Sequence, residues 1–281
     1  MTVNSRTPFQ LFKYTVYVLL AMNIYWFYDE ESAAATLQFV NGVGFADLIE
    51  AYSATIDTAA WVVLLLMFEL ETYVLDDRHF TKRVTWTLHG LRAICYGFIV
   101  YAFYGYIANL AFLYEAGVFA GLDDICTLPP AAWSWATTLD EYVRITAANC
   151  ASFSNAAVFY QFNDMQAVVD APGLRDIRYL GWVDVINSGV WLLVVLVLEI
   201  DVRLQEHGLY DGFALKASTV AKFVLYSLLL LAAIYWGFKG DFVDFWDAFL
   251  WLVAFVFIEL NVFEWHQEEK EAAAEAQAIS E

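Results

Sequence analysis

Three glutamates recur at one position inside apolar runs. Glu69, Glu199 and Glu259 each stand eight residues after a tryptophan: Trp61, Trp191 and Trp251. Each is followed by an aliphatic and then a polar residue, Glu71, Asp201 and Asn261. Four residues before each tryptophan lies a further polar group, Asp57, Asn187 and Asp247. A carboxylate at the centre of a bilayer costs about 2.5–3.5 kcal/mol. Three left unpaired would approach the whole stability of a domain, about 5–15 kcal/mol. Such groups must be paired, protonated or wetted, and each answer is a different chemistry.

Rings of carboxylates at one depth select cations or relay protons. On that reading Asp57, Asn187 and Asp247 form one polar layer, and Glu69, Glu199 and Glu259, with Glu71, Asp201 and Asn261, form a second. Asp57 and Glu69 are twelve residues apart, about 18 Å along a helix at 1.5 Å per residue. The other answer is pairing. Lys13, Arg92 and Lys222 begin the neighbouring apolar runs at a suitable height, so each acid can be neutralised and merely hold helices together. Glu69 and Glu71 are about 200° apart around a helix and cannot both face Lys13. One of the two is therefore expected to face a bundle axis or a neighbouring subunit.

Other chemistries find little support. His79, His89, His207 and His266 lack the spacing of a ligand pair on one helical face, so no metal and no cofactor are expected. Gly42-Val43-Gly44 lacks the third glycine of a dinucleotide loop. P-loop, G-x-S-x-G, arginine-rich sensor and T-V-G-Y-G patterns are missing, and no activated nucleophile suggests an enzyme. All four prolines fall outside the apolar runs, which removes the proline-kinked motif of mitochondrial carriers.

The elements that must position these acids follow from composition. Hydrophobic residues are 61% of 281, and charged residues only 17%. That much apolar surface exceeds what a soluble interior hides. The expected class is an all-α integral membrane protein. Six runs are long enough to cross a hydrocarbon core of about 30 Å: 9–28, 55–75, 91–114, 179–200, 218–238 and 242–263. They group into three pseudo-repeated helical hairpins, 9–75, 91–200 and 218–263, with Lys13, Arg92 and Lys222 at matching starts. No small-residue cleavage site follows Met1–Lys13, so the first run reads as a true span. Residues 1–264 are expected to form the transmembrane domain, and 265–281 an acidic cytoplasmic tail.

Orientation follows the basic residues. With the N-terminus inside, one face carries 10 lysines and arginines and the other 4, which places both termini in the cytoplasm of an inner-membrane protein. The outer segments 29–57, 115–184 and 239–247 hold 18 acids against 4 basic residues. Such a face repels nucleic acid and concentrates cations. Cys126 and Cys150 lie in the long outer connection, where disulfides persist, and a bridge is expected between them. That connection, 115–178, reads as a small extracytoplasmic cap. Its runs Thr138–Cys150 and Phe153–Val169 are expected to be amphipathic helices, with Leu139, Val143, Ile145, Val158, Phe159 and Phe162 as their apolar faces. Tyr25, Trp26, Tyr104, Tyr106, Tyr235, Trp236 and Trp246 fit an interfacial aromatic belt. The function expected is a cation or proton channel or transporter in the bilayer. The alternative is a structural or assembly subunit, a homo-oligomer or a partner in a membrane complex, whose acids are intramembrane salt bridges.

Overall fold

The protein is described by a computed structural model over residues 6–39, 41–71, 81–129, 132–153, 156, 158–162, 165–207 and 212–255. Helices α1 (Arg6–Gln38), α2 (Leu48–Ala51), α3 (Ser53–Glu69) and α4 (Lys82–Tyr114) come first. A sheet segment follows, then α6 (Ala171–Glu206), α7 (Gly212–Lys239) and α8 (242–255). Glu259, Asn261, His79, His266 and the tail 265–281 lie outside the described residues.

Among the described residues, three helices are long and apolar enough to cross a membrane: α4, α6 over Ala171–Leu204, and α7. The shortest, 28 residues, spans about 42 Å. Trp86, Phe213, Phe223 and Phe238 project from α4 and α7 almost fully exposed. Apolar surface of that kind is costly in water and natural against acyl chains.

Side chains from five helices meet at the centre of the bundle. Leu20 of α1, Leu65 of α3, Val194 of α6, Leu229 of α7 and Ala254 of α8 belong to one buried cluster. α1 runs ten residues past its expected end, and the extension has a purpose. Glu31, buried on α1, accepts from the Ala54 and Thr55 amides at 2.7 and 3.0 Å and from Thr55 Oγ1 at 2.6 Å. Those amides open α3, whose own N-cap, Tyr52, supplies no side-chain acceptor. A carboxylate there satisfies orphan donors and the positive end of the helix dipole. Gly105 allows α4 to lie against this corner, because a Cβ would stand 2.7 Å from the Ile49 carbonyl oxygen.

The expected helical cap is corrected: the segment is built on a five-stranded sheet. Strands β1 (Gly117–Val118), β2 (Ser134–Ala136), β3 (Tyr142–Arg144), β4 (Phe159–Gln161) and β5 (Ala167–Asp170) run in the order β1-β4-β5-β2-β3. β2 and β5 are parallel, and the other pairs antiparallel. Among the described residues two short helical turns interrupt it, a 3-10 turn at Ile125–Thr127 and α5 (Cys150–Phe153). Two features explain the difference. Ala167, Val168 and Val169 are all fully buried in succession, the signature of a strand covered on both faces rather than of an amphipathic helix. Of the proposed helix faces, Leu139, Ile145, Phe159 and Phe162 are buried, whereas Val143 and Val158 point outward. Such β-branched and aromatic runs suit strands.

The sheet is fastened to the bundle. Leu110 and Leu113 of α4 and Leu174 and Ile177 of α6 share its core. Cys126 and Cys150 form a disulfide, 24 residues apart with Cα atoms 5.2 Å apart. Closing a loop of that length stabilises it by about 3 kcal/mol on the chain-entropy model.

Candidate functional site

Trp61, Trp191 and Trp251, from α3, α6 and α8, meet in the bundle core. Their ring centroids are 6.0, 6.2 and 6.4 Å apart, with tilted or edge-on planes, the arrangement that the aromatic quadrupole favours. One turn earlier on each of these helices stand Asp57, Asn187 and Asp247, and all three line a single cavity of about 40 Å³. That is room for about three waters. Three helices presenting the same pair of residues to the same place must run in the same sense.

The cavity has further walls that spacing alone left out. Asp184, Asp244, Tyr106, Trp236, Phe27 and Thr58 line it as well. Asp184 and Asp244 precede Asn187 and Asp247 by three residues, a repeat that was legible in the chain. Tyr106 and Trp236, expected in the interfacial belt, face inward instead; Trp236 is buried, and its Nε1 donates to Asp184 Oδ1 at 3.2 Å. Four carboxyl-bearing residues thus converge on one space, and among the described residues no lysine, arginine or histidine lines it.

Part of this polar layer is satisfied within the protein. Asn23 of α1, wholly buried, donates from Nδ2 to Asp247 Oδ1 at 2.7 Å. The Trp61 indole and the Tyr106 hydroxyl are hydrogen-bonding neighbours of Asp57, and the Trp251 indole is one of Asp247. Asp57 Oδ1 and Asn187 Oδ1 are buried with no hydrogen-bond partner among the described residues. Buried acceptors of that kind require a donor from water or a ligand.

The second acidic layer is different, because each described member has a cation. Lys13 Nζ lies 2.6 Å from Glu69 Oε1 in the interior, and the Tyr14 and Tyr17 hydroxyls also donate to Glu69 at 3.0 and 3.4 Å. Glu71 pairs with Arg92 at 2.7 Å. Asp201 pairs with Lys222 at 3.0 Å and accepts from Ser218 Oγ at 2.6 Å. Glu199 is exposed and pairs with Arg203 one turn along α6. The expectation that one acid of each pair would face the axis or a neighbour unpaired does not hold for Glu69 and Glu71. α1 and α4 flank α3 on different sides, and each supplies a cation. Arg92 and Lys222 each pair with an acid of the preceding hairpin, Glu71 and Asp201.

Compared with known proteins, the chain matches no family model, no curated protein and no solved structure. Function is therefore argued from the site itself.

Beside the cavity, acids also gather where the sheet meets the bundle. Asp140, in the β2–β3 turn, faces Glu141 and, across the junction, Asp241 of the α7–α8 turn. Burial first, then the charges of Asp241 and Glu141, push its carboxyl up to about 7 from an ordinary 3.8. The folded state therefore keeps this proton at pH values where the unfolded chain has released it. Stability accordingly falls as pH rises from about 4 to about 7. Thermal unfolding of the purified protein is expected to show a midpoint that drops from pH 5 to pH 8, with a shallower drop in Asp140→Asn. A wild-type midpoint independent of pH contradicts this placement.

Proposed function

We propose that this chain is a multi-pass membrane protein that moves cations or protons, as a channel or transporter. In this reading the bundle has six spans in three hairpin repeats, 9–75, 91–200 and 218–263. Its termini lie in the cytoplasm, and the sheet-bearing segment lies on the opposite side of an inner membrane. The observation that carries the reading is the convergence of Asp57, Asp184, Asp244 and Asp247 on one cavity with no basic side chain among its described lining residues. A space of that composition attracts positive charge and excludes anions. The tryptophan triad and the apolar cluster containing Leu65, Val194 and Ala254 lie beyond it. In this reading they close the route toward the opposite end, and ions reach the cavity from the sheet side.

The ion-paired acids then have the scaffold role, fixing α1, α4 and α7 against their neighbours. Those pairs favour a second reading, in which the protein is an assembly subunit of a membrane complex and transports nothing. Flux separates the two. In liposomes containing the purified protein, proton or cation flux is expected, and Asp57→Asn is expected to reduce it about tenfold, equivalent to about 1.4 kcal/mol. Glu199→Gln, altering an exposed acid, leaves it unchanged. Wild-type liposomes no leakier than empty ones, or an Asp57→Asn variant as active as wild type, would sink the transport reading.

A further inference from the structure

We infer that the cavity's occupant is a small protonated amine rather than an inorganic cation, an assignment that rests on reading the cavity as a cation site. Three features of its wall point that way. The first is aromatic content: the rings of Phe27, Trp61, Tyr106, Trp191, Trp236 and Trp251 make up much of the lining. Ring faces attract organic ammonium groups, whereas hard metal ions demand a shell of oxygen ligands. Among the described residues no group of acids, histidines or cysteines is arranged to hold a metal ion.

The second feature is the unfilled acceptors. Asp57 Oδ1 and Asn187 Oδ1, on different helices, are buried without partners among the described residues. A primary or secondary ammonium carries N–H donors for both, and a quaternary one carries none. The third is size. A cavity of 40 Å³ accommodates about three or four non-hydrogen atoms, judged by the room a water needs. An ammonium with a short alkyl tail matches all three: its N–H groups meet the two acceptors, and its tail meets the rings.

Calorimetric titration of the full chain in detergent tests this with ethylammonium, tetramethylammonium and potassium chlorides at equal ionic strength. Ethylammonium is expected to bind at least about tenfold more tightly than either other cation. Asp57→Asn is expected to weaken it by about the same factor. The ranking of the three cations on wild type needs no variant to fold. Equal or tighter binding of potassium or tetramethylammonium, or no saturable ethylammonium heat, overturns the inference. If that happens while Asp57-dependent flux persists in liposomes, the amine assignment alone fails. If wild-type flux is missing too, the transport reading beneath it fails.

Discussion

Lys13→Met is expected to cost about 3–5 kcal/mol of stability, enough to prevent recovery of folded protein at ordinary temperatures. Lys13 is 1% exposed and its ammonium lies 2.6 Å from Glu69. The Tyr14 ring also sits beneath the charge, its centroid 5.1 Å from Nζ. Removing the lysine strands a carboxylate in the interior, with two tyrosine hydroxyls among the described residues to solvate it. The penalty comes from the abandoned charge, not from the lost attraction. Lys13→Met combined with Glu69→Met should therefore recover most of the stability, since an apolar pair of similar volume replaces a desolvated ion pair. Thermal unfolding in detergent and elution as a single species measure both proteins. A double variant no better than the single one would mean that the pair has a role beyond neutralising Glu69.

Trp251→Ala is expected to destabilise the bundle by about 3–5 kcal/mol, the usual cost of truncating a large buried aromatic. Its ring meets both Trp61 and Trp191, so the truncation opens a void at the floor of the acidic cavity. A cavity floored by the triad has a second consequence that packing alone would not give. Water admitted past the triad reaches the level of Val194 and Ala254, and proton leak through liposomes should rise above wild type. Trp251→Phe, which keeps a ring in place, should lose less stability and leak less. Parallel measurement of unfolding and leak distinguishes the roles: lost stability without any leak would make the triad a packing feature only.

Much of this site was legible in the chain, for a simple reason. Residues four apart lie on one helical face, so Asp57 with Trp61, Asn187 with Trp191 and Asp247 with Trp251 had to point the same way on their helices. The cysteine pair was equally readable from its place in a long polar connection. The cap was misread because Leu139, Val143 and Ile145 mix a four-residue with a two-residue spacing, and strands of three or four residues are too short for period to decide. Asn23 gives no local sign of its role, because its partner Asp247 is 224 positions away. Glu31 caps a helix that starts 22 residues later, across a turn whose path the chain does not announce. Only Lys13 was weighed against the pair Glu69 and Glu71, so one of the two was expected to face the bundle axis or a neighbouring subunit. The cation that Glu71 meets, Arg92, comes from α4, and which helix lies beside which is a property of the packed bundle.

The transport proposal requires one cavity, reached from the sheet side and closed by the tryptophans. Thiol accessibility tests it directly, in intact cells and with Cys95 replaced by serine. Asn187→Cys should react with a small, membrane-impermeant cationic thiol reagent added outside. Val194→Cys, two turns further along α6 and fully buried, should stay unmodified from either side. Modification of Val194→Cys, or of Asn187→Cys from the cytoplasmic side only, would contradict the account.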